Sequence, residues 1–310
     1  MINQSFFWKF LFCNFEHKLI LFTSTVMKMK NLLICLPLII AFAACKNKEE
    51  KPPELLLKSE SQQIEAVSFE EISEEKRFGL NQNIDSLNGA IINDPSNPEL
   101  YFNRGVAKSE LQRHEDAIFD FSKAIELDPL PTFFLFRGFS KAEINDQSGA
   151  LDDFNKSIEL YPMEPSAYYN RGLVKINMED YSGAVLDFTQ TLAIDPTRAE
   201  AYYNRGLSKA KQGDYEDAIL DYDQAIEIHA SSAEAYYNRG FAKVNLQQFN
   251  EAIHDFTTAI DLNPEFVEAY NNLGLSHIML GDNQQGCAYL QKAYELGFEN
   301  AFNAMNVYCK

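Results

Sequence analysis

Apolar and polar positions recur along most of the chain with a period close to 34 residues. A block of aromatics closing on glycine reads Tyr101-Phe102-Asn103-Arg104-Gly105, then Phe134-Leu135-Phe136-Arg137-Gly138 and Tyr168-Tyr169-Asn170-Arg171-Gly172. It returns as Tyr202-Tyr203-Asn204-Arg205-Gly206, Tyr236-Tyr237-Asn238-Arg239-Gly240 and Tyr270-Asn271-Asn272-Leu273-Gly274. The glycines are 33, 34, 34, 34 and 34 residues apart. Other marks keep phase. Twelve residues after each glycine stands a small residue, from Ala117 to Gly286, and sixteen after stand Phe121, Phe154, Phe188, Tyr222, Phe256 and Leu290. Nineteen after comes another small residue, from Ala124 to Ala293. Pro129, Pro162, Pro196 and Pro264 close four of the periods.

Each period predicts a helical hairpin. Ala117, Phe121 and Ala124 step by four and three, which is one face of a helix. Glycine and the small residues mark where two helices approach closely, and the aromatics fill the space beside them. Proline disfavours helical geometry in the residue before it, so it ends the second helix. Gly213-Asp214 and Gly281-Asp282 mark the turn within a hairpin.

This pattern resembles that of tetratricopeptide repeats, with Tyr or Phe where that family often has Trp. The resemblance implies an all-α, right-handed superhelical solenoid of six repeats: 98–130, 131–164, 165–198, 199–232, 233–266 and 267–300. Segment 68–97, with an apolar pattern from Ile84, reads as a lone second helix capping the start. Segment 299–310 reads as a helix capping the end, because a stack otherwise exposes an apolar face at each terminus.

The N-terminus reads as an address. Lys28 and Lys30 precede an apolar run from Leu32 to Ala44, too short to span a bilayer, and the run closes on Phe42-Ala43-Ala44-Cys45. This resembles the lipobox of bacterial lipoproteins, which makes 1–44 a signal peptide and Cys45 the lipid-bearing residue. Residues 1–26 fit no part of such a signal, and a start at Met27 or Met29 gives a conventional one. Segment 45–67, with adjacent Pro52 and Pro53, reads as a flexible tether. Its Lys48-Glu49-Glu50 resembles the surface-export signals of Bacteroidetes lipoproteins. The expected location is the cell envelope, as an outer-membrane lipoprotein facing the periplasm or the exterior, with membrane contact through the lipid alone.

Charge removes other classes. The chain carries 27 Lys plus Arg against 45 Asp plus Glu, a net charge of −18, which disfavours nucleic acid and anionic lipid as partners. No phosphate-cradling glycine loop or metal-ligand helix motif occurs, and the histidines fall at different phases of the repeat. The expectation is a non-enzymatic protein without cofactor or metal.

Arg104, Arg137, Arg171, Arg205 and Arg239 precede the glycines, and Lys108, Lys141, Lys175, Lys209 and Lys243 lie three after them. Asp120, Asp153, Asp187, Asp221 and Asp255 lie fifteen after. Folding the hairpin about its turn sets each Asp between Arg and Lys of its own repeat. A solvated charged face and a pair to the neighbouring hairpin are the alternatives. The sixth repeat changes all three together, to Leu273, His277 and Tyr289.

First helices line the inner face of stacked hairpins. Phe102, Leu135, Tyr169, Tyr203 and Tyr237, with Phe139, Leu173, Leu207 and Phe241, form an apolar-aromatic stripe there. Asn103, Asn170, Asn204 and Asn238 run beside it, a ladder able to hydrogen-bond an extended peptide. The expected ligand is a protein or peptide, bound by a monomer. Lys and Asn at the groove sites of the family's carboxylate-clamp subclass are replaced by Phe102 and Val106, so that clamp is not expected. The alternatives are a cytoplasmic co-chaperone-like module and a carbohydrate-binding surface lipoprotein. Cys287 and Cys309, the only cysteines after Cys45, are expected to pair in an oxidising compartment and pin the terminal cap.

Overall fold

In the computed structural model the described residues are 73–309, and they form fourteen α-helices without strands. Signal, Cys45 and tether lie outside them. Helix α1 spans Glu74–Asn93. Six hairpins follow: α2 (Pro98–Glu110) with α3 (His114–Leu127), α4 (Pro131–Glu143) with α5 (Gln147–Leu160), and α6 (Pro165–Asn177) with α7 (Tyr181–Ile194). Then come α8 (Ala199–Gln212) with α9 (Tyr215–Ile228), α10 (Ala233–Asn245) with α11 (Phe249–Leu262), and α12 (Val267–Met279) with α13 (Asn283–Glu295). Helix α14 (Asn300–Tyr308) ends the stack.

Local chemistry sets the boundaries. Asn97 accepts from the Glu99 amide, and Pro98 opens α2 where its missing N–H is harmless. Second helices stop at Asp128, Tyr161, Asp195 and Asn263, each immediately before a proline. Helix α9 stops at the same phase, at His229, although Ala230 replaces the proline. Inside every hairpin one residue seven after the glycine takes a left-handed conformation. It is glycine at Gly213 (φ 89°) and Gly281 (φ 85°), but Gln112, Asn145, Glu179 and Gln247 take φ of 60–63° in the other four. The next amide then bonds back to the last turn, as Asp180 does to the Lys175 carbonyl at 2.8 Å, which closes the helix in a Schellman motif. Asp146, Asp180 and Asp282 at that position also cap the second helix with their side chains.

The hairpin interior follows the sequence marks. Ala117, Phe121 and Ala124 are fully buried, as are Ala150, Phe154, Ala184, Phe188, Ala252 and Phe256. Burying each such aromatic contributes about 1.5–3 kcal/mol. A Cβ on Gly105 would lie 2.7 Å from Cε1 of Phe121, so the ring and the glycine are one packing unit.

Each helix packs on its partner and on the next hairpin, and first helices of successive hairpins touch one another as second helices do not to the same extent. That places α2, α4, α6, α8, α10 and α12 on the inner side. Helix α1 starts at Glu74, well ahead of Ile84, because Ser73 accepts from the Lys76 amide and caps it. At the other end α14 covers α12, whose residues from Asn271 to Ser276 are all buried. A disulfide joins Cys287 on α13 to Cys309 after α14, with sequence separation 22. By loop closure it stabilises the cap by about 3 kcal/mol.

Candidate interaction surface

The inner side is positioned by an ion triad repeated five times. Asp120 takes Nη2 of Arg104 on one oxygen at 2.5 Å, and Nε at 2.9 Å with Lys108 Nζ at 2.7 Å on the other. Asp153, Asp187, Asp221 and Asp255 do the same with Arg and Lys of their own hairpins. These carboxylates are buried, Asp120 and Asp255 completely. The hydrogen bond to Asp120 makes the Arg104 guanidinium hold its proton more tightly than usual, against the opposing effect of burial. In the sixth repeat the triad gives way to a buried Leu273 and to the His277 ring stacked on Tyr289, centroids 5.4 Å apart.

The free corner of each guanidinium reaches the preceding second helix. Nη1 of Arg104 donates to Asn88 at 2.8 Å, and the following arginines donate in turn to Ser122, Asn155, Thr189 and Asp223. One arginine therefore ties its own two helices together and joins them to the hairpin before. Each also lies over the aromatic three residues earlier, from Arg104 on Tyr101 to Arg239 on Tyr236, at 5.3–5.6 Å. Four of these five acceptors lie seventeen residues after a repeat glycine, and Asn88 holds the same phase ahead of the first repeat. Their only common signal is polarity at one phase.

First helices are linked by a second ladder. Asn204 donates to the Tyr169 hydroxyl at 3.1 Å, Asn238 to Tyr203 at 2.8 Å and Asn272 to Tyr237 at 3.0 Å. The asparagine donors expected to meet a peptide backbone are thus engaged between repeats at Asn204 and Asn238, and Asn204 and Tyr237 are buried. Burial keeps Tyr169 and Tyr237 protonated above the ordinary tyrosine range. Asn103 is exposed, and Asn170 is half-buried.

The apolar stripe behaves differently. Phe139 is 40% exposed, Leu173, Leu207 and Phe241 are half-buried, and Leu275 lies closed beneath the cap. Phe102 packs on Phe133 and Phe136, and Leu135 is half-buried. Two hollows open along this strip. One of about 350 Å³ lies between α1 and α2 beside Asn103 and Val106; the other, of about 260 Å³, lies beside Leu135. The structure therefore presents a partly open aromatic and aliphatic strip held rigid by ion triads beneath it. Such a surface can bury apolar side chains of a ligand. Among the described residues no cluster of His, Cys, Asp and Glu is arranged to hold a metal ion.

Comparison with known proteins gives the fold its family. Two family models described as tetratricopeptide repeat match residues 98–129 and 233–266, and 165–198 and 267–297, respectively. A third, described as TPR repeat, matches 208–247. No curated protein sequence matches the chain significantly. Among solved structures, MamA is 25% identical with TM-score 0.51, over 53% of this chain and 96% of its own. YrrB, described as a TPR protein with an unusual peptide-binding site, is 23% identical with TM-score 0.56, over 60% and 97%. The C-terminal part of a TPR repeat-containing protein from Cytophaga hutchinsonii is 15% identical with TM-score 0.61, over 74% and 97%. Family matches over about half of the chain, together with six stacked hairpins, show that the protein carries tetratricopeptide repeats and belongs to that family.

Proposed function

We propose that the protein is a non-enzymatic interaction scaffold that holds a partner polypeptide along the inner strip and is tethered by lipid in a bacterial cell envelope. The observation that carries the binding role is the row Phe139, Leu173, Leu207 and Phe241. These apolar side chains stay partly open in consecutive repeats although the hairpin interiors are already full. Exposed aromatic and aliphatic side chains on a rigid frame supply contact area at low entropic cost. A peptide-binding site is described for YrrB, whose likeness to this chain is one of fold.

The tether rests on Phe42-Ala43-Ala44-Cys45 after a basic segment and an apolar run. Residues 1–44 hold four Lys and one Glu, so the chain beyond them is more acidic than the whole. An acidic body stands off anionic head groups, which suits a protein held by its lipid alone.

Two substitutions test the two halves. Cys45→Ala in the full chain removes metabolic palmitate labelling if the lipid is attached there; labelling that persists excludes it. Phe139→Ser with Phe241→Ser removes the co-purifying partner while thermal stability changes little. Retention of that partner at wild-type level places binding elsewhere.

A further inference from the structure

At three junctions a side chain from the head of the next hairpin covers a ring on the first helix. Phe133 lies against Phe102 with ring centroids 4.9 Å apart, and Phe266 lies against Tyr237 at 4.7 Å. The Arg198 guanidinium lies over the Tyr169 ring at 3.9 Å. One repeat before Tyr169 and Arg198 stand Leu135 and Glu164. Leu135 has no ring, and Glu164 puts an anion where the next repeat has a cation. A hollow of about 260 Å³ opens there, lined by both of these residues, by Phe136 and by Ser157 among others.

The chemistry of the hollow is one-sided. Its lining includes one carboxylate, Glu164, and the hydroxyls of Thr132, Ser157 and Ser166, with no Lys, Arg or His among the described residues. Glu164 Oε1 accepts from the Ser166 amide at 3.1 Å, and the carboxylate meets no cation among the described residues. The Ser157 hydroxyl is fully buried, lines the hollow and makes no hydrogen bond among the described residues. Thr191, one repeat on, instead donates to the Asp187 carbonyl at 3.0 Å. An unsatisfied polar group in a native interior calls for an explanation. A guanidinium offers donors to a carboxylate and a hydroxyl at once, while its methylene stem covers apolar surface.

We propose that this hollow receives an arginine side chain of the bound partner polypeptide, its methylenes against Leu135 and its guanidinium paired with Glu164 and donating to the Ser157 hydroxyl. The assignment rests on the interaction-surface reading and specifies one side chain of the ligand. It restores from outside the cation that Arg198 supplies from within at the next junction. The net charge of −18 favours a basic partner in the same sense.

The test titrates the ¹⁵N-labelled full chain with N-acetyl-arginine methylamide and with its citrulline analogue, which keeps the shape and loses the charge. The arginine derivative is expected to shift the Ser166 amide, which donates to Glu164, and the citrulline derivative to bind about tenfold more weakly. Glu164→Gln keeps an acceptor for that amide and removes the charge, so it should abolish the preference. Ser157→Ala installs the alanine that four other repeats hold at this phase. It should weaken arginine binding about threefold to tenfold without lowering the melting temperature. Equal binding of the two derivatives, or a Ser166 shift unchanged in Glu164→Gln, overturns the assignment. The co-purifying partner separates this assignment from the surface reading. Its loss from Phe139→Ser with Phe241→Ser, but retention at wild-type level by Glu164→Gln with Ser157→Ala, overturns the arginine assignment and leaves the strip standing.

Discussion

The Nδ2 of Asn238 donates to the Tyr203 hydroxyl at 2.8 Å across the junction of the fourth and fifth hairpins. The two residues are 35 apart, one more than the repeat, so the contact joins different phases of neighbouring units. Stability in a solenoid is a sum of unit and junction contributions, and this bond belongs to the junction. Tyr203→Phe is expected to cost about 0.5–1.5 kcal/mol, and a double-mutant cycle with Asn238→Ala should return a coupling of about that size. Urea unfolding provides the measurement.

The ion triads should weigh more. Asp255 is fully buried with Arg239 and Lys243 on it, whereas Asp223, which meets the same arginine, is 45% exposed. Asp255→Ala leaves Lys243 without its counter-charge and Arg239 with the exposed Asp223 alone, and should destabilise by about 3–5 kcal/mol. Asp223→Ala should cost less than about 1 kcal/mol. Equal losses from the two variants, compared by urea unfolding, would refute the asymmetry.

Turn strain can be relieved. Glu179 takes φ 60° where the fourth and sixth hairpins use glycine. A left-handed residue with a Cβ costs about 1–2 kcal/mol, and glycine returns part of that through its looser unfolded state. Glu179→Gly should therefore stabilise by about 0.5 kcal/mol, and Gly213→Ala should destabilise, both read as shifts in thermal midpoint.

Tyr222 carries a pH dependence. Burial first, then Tyr203 and Asp221, raise its pKa well above the ordinary value of 10.0. The folded state thus keeps a proton that the unfolded chain releases, so its contribution is complete below pH 10 and is lost as pH rises beyond it. Stability should fall on the alkaline side. In Tyr222→Phe, the residue most other repeats use there, the fall above pH 10 should be shallower. An unchanged alkaline slope would contradict this.

The hairpins were legible because each of their contacts joins fixed phases within one period. Ala117, Phe121 and Gly105 meet wherever the pattern repeats, and an Asp fifteen after a glycine must face the Arg and Lys across the turn. Contacts between periods were harder to see. The asparagines looked like free donors because their tyrosine acceptors lie at another phase in another repeat. The arginine acceptors share polarity without identity. No apolar pattern marks the start of helix α1 at Glu74 inside segment 68–97, because Ile84 is its only buried residue. Gln112, Asn145, Glu179 and Gln247 gave no turn signal of the kind glycine gives.

Photo-crosslinking in living cells tests the scaffold most directly. A benzoylphenylalanine is placed at Leu207 on the inner strip and, as comparison, at Leu220, which is 62% exposed on a second helix. The account predicts one discrete crosslinked polypeptide from position 207 and none from position 220. Crosslinking from position 220 alone, or equally from both, would contradict it.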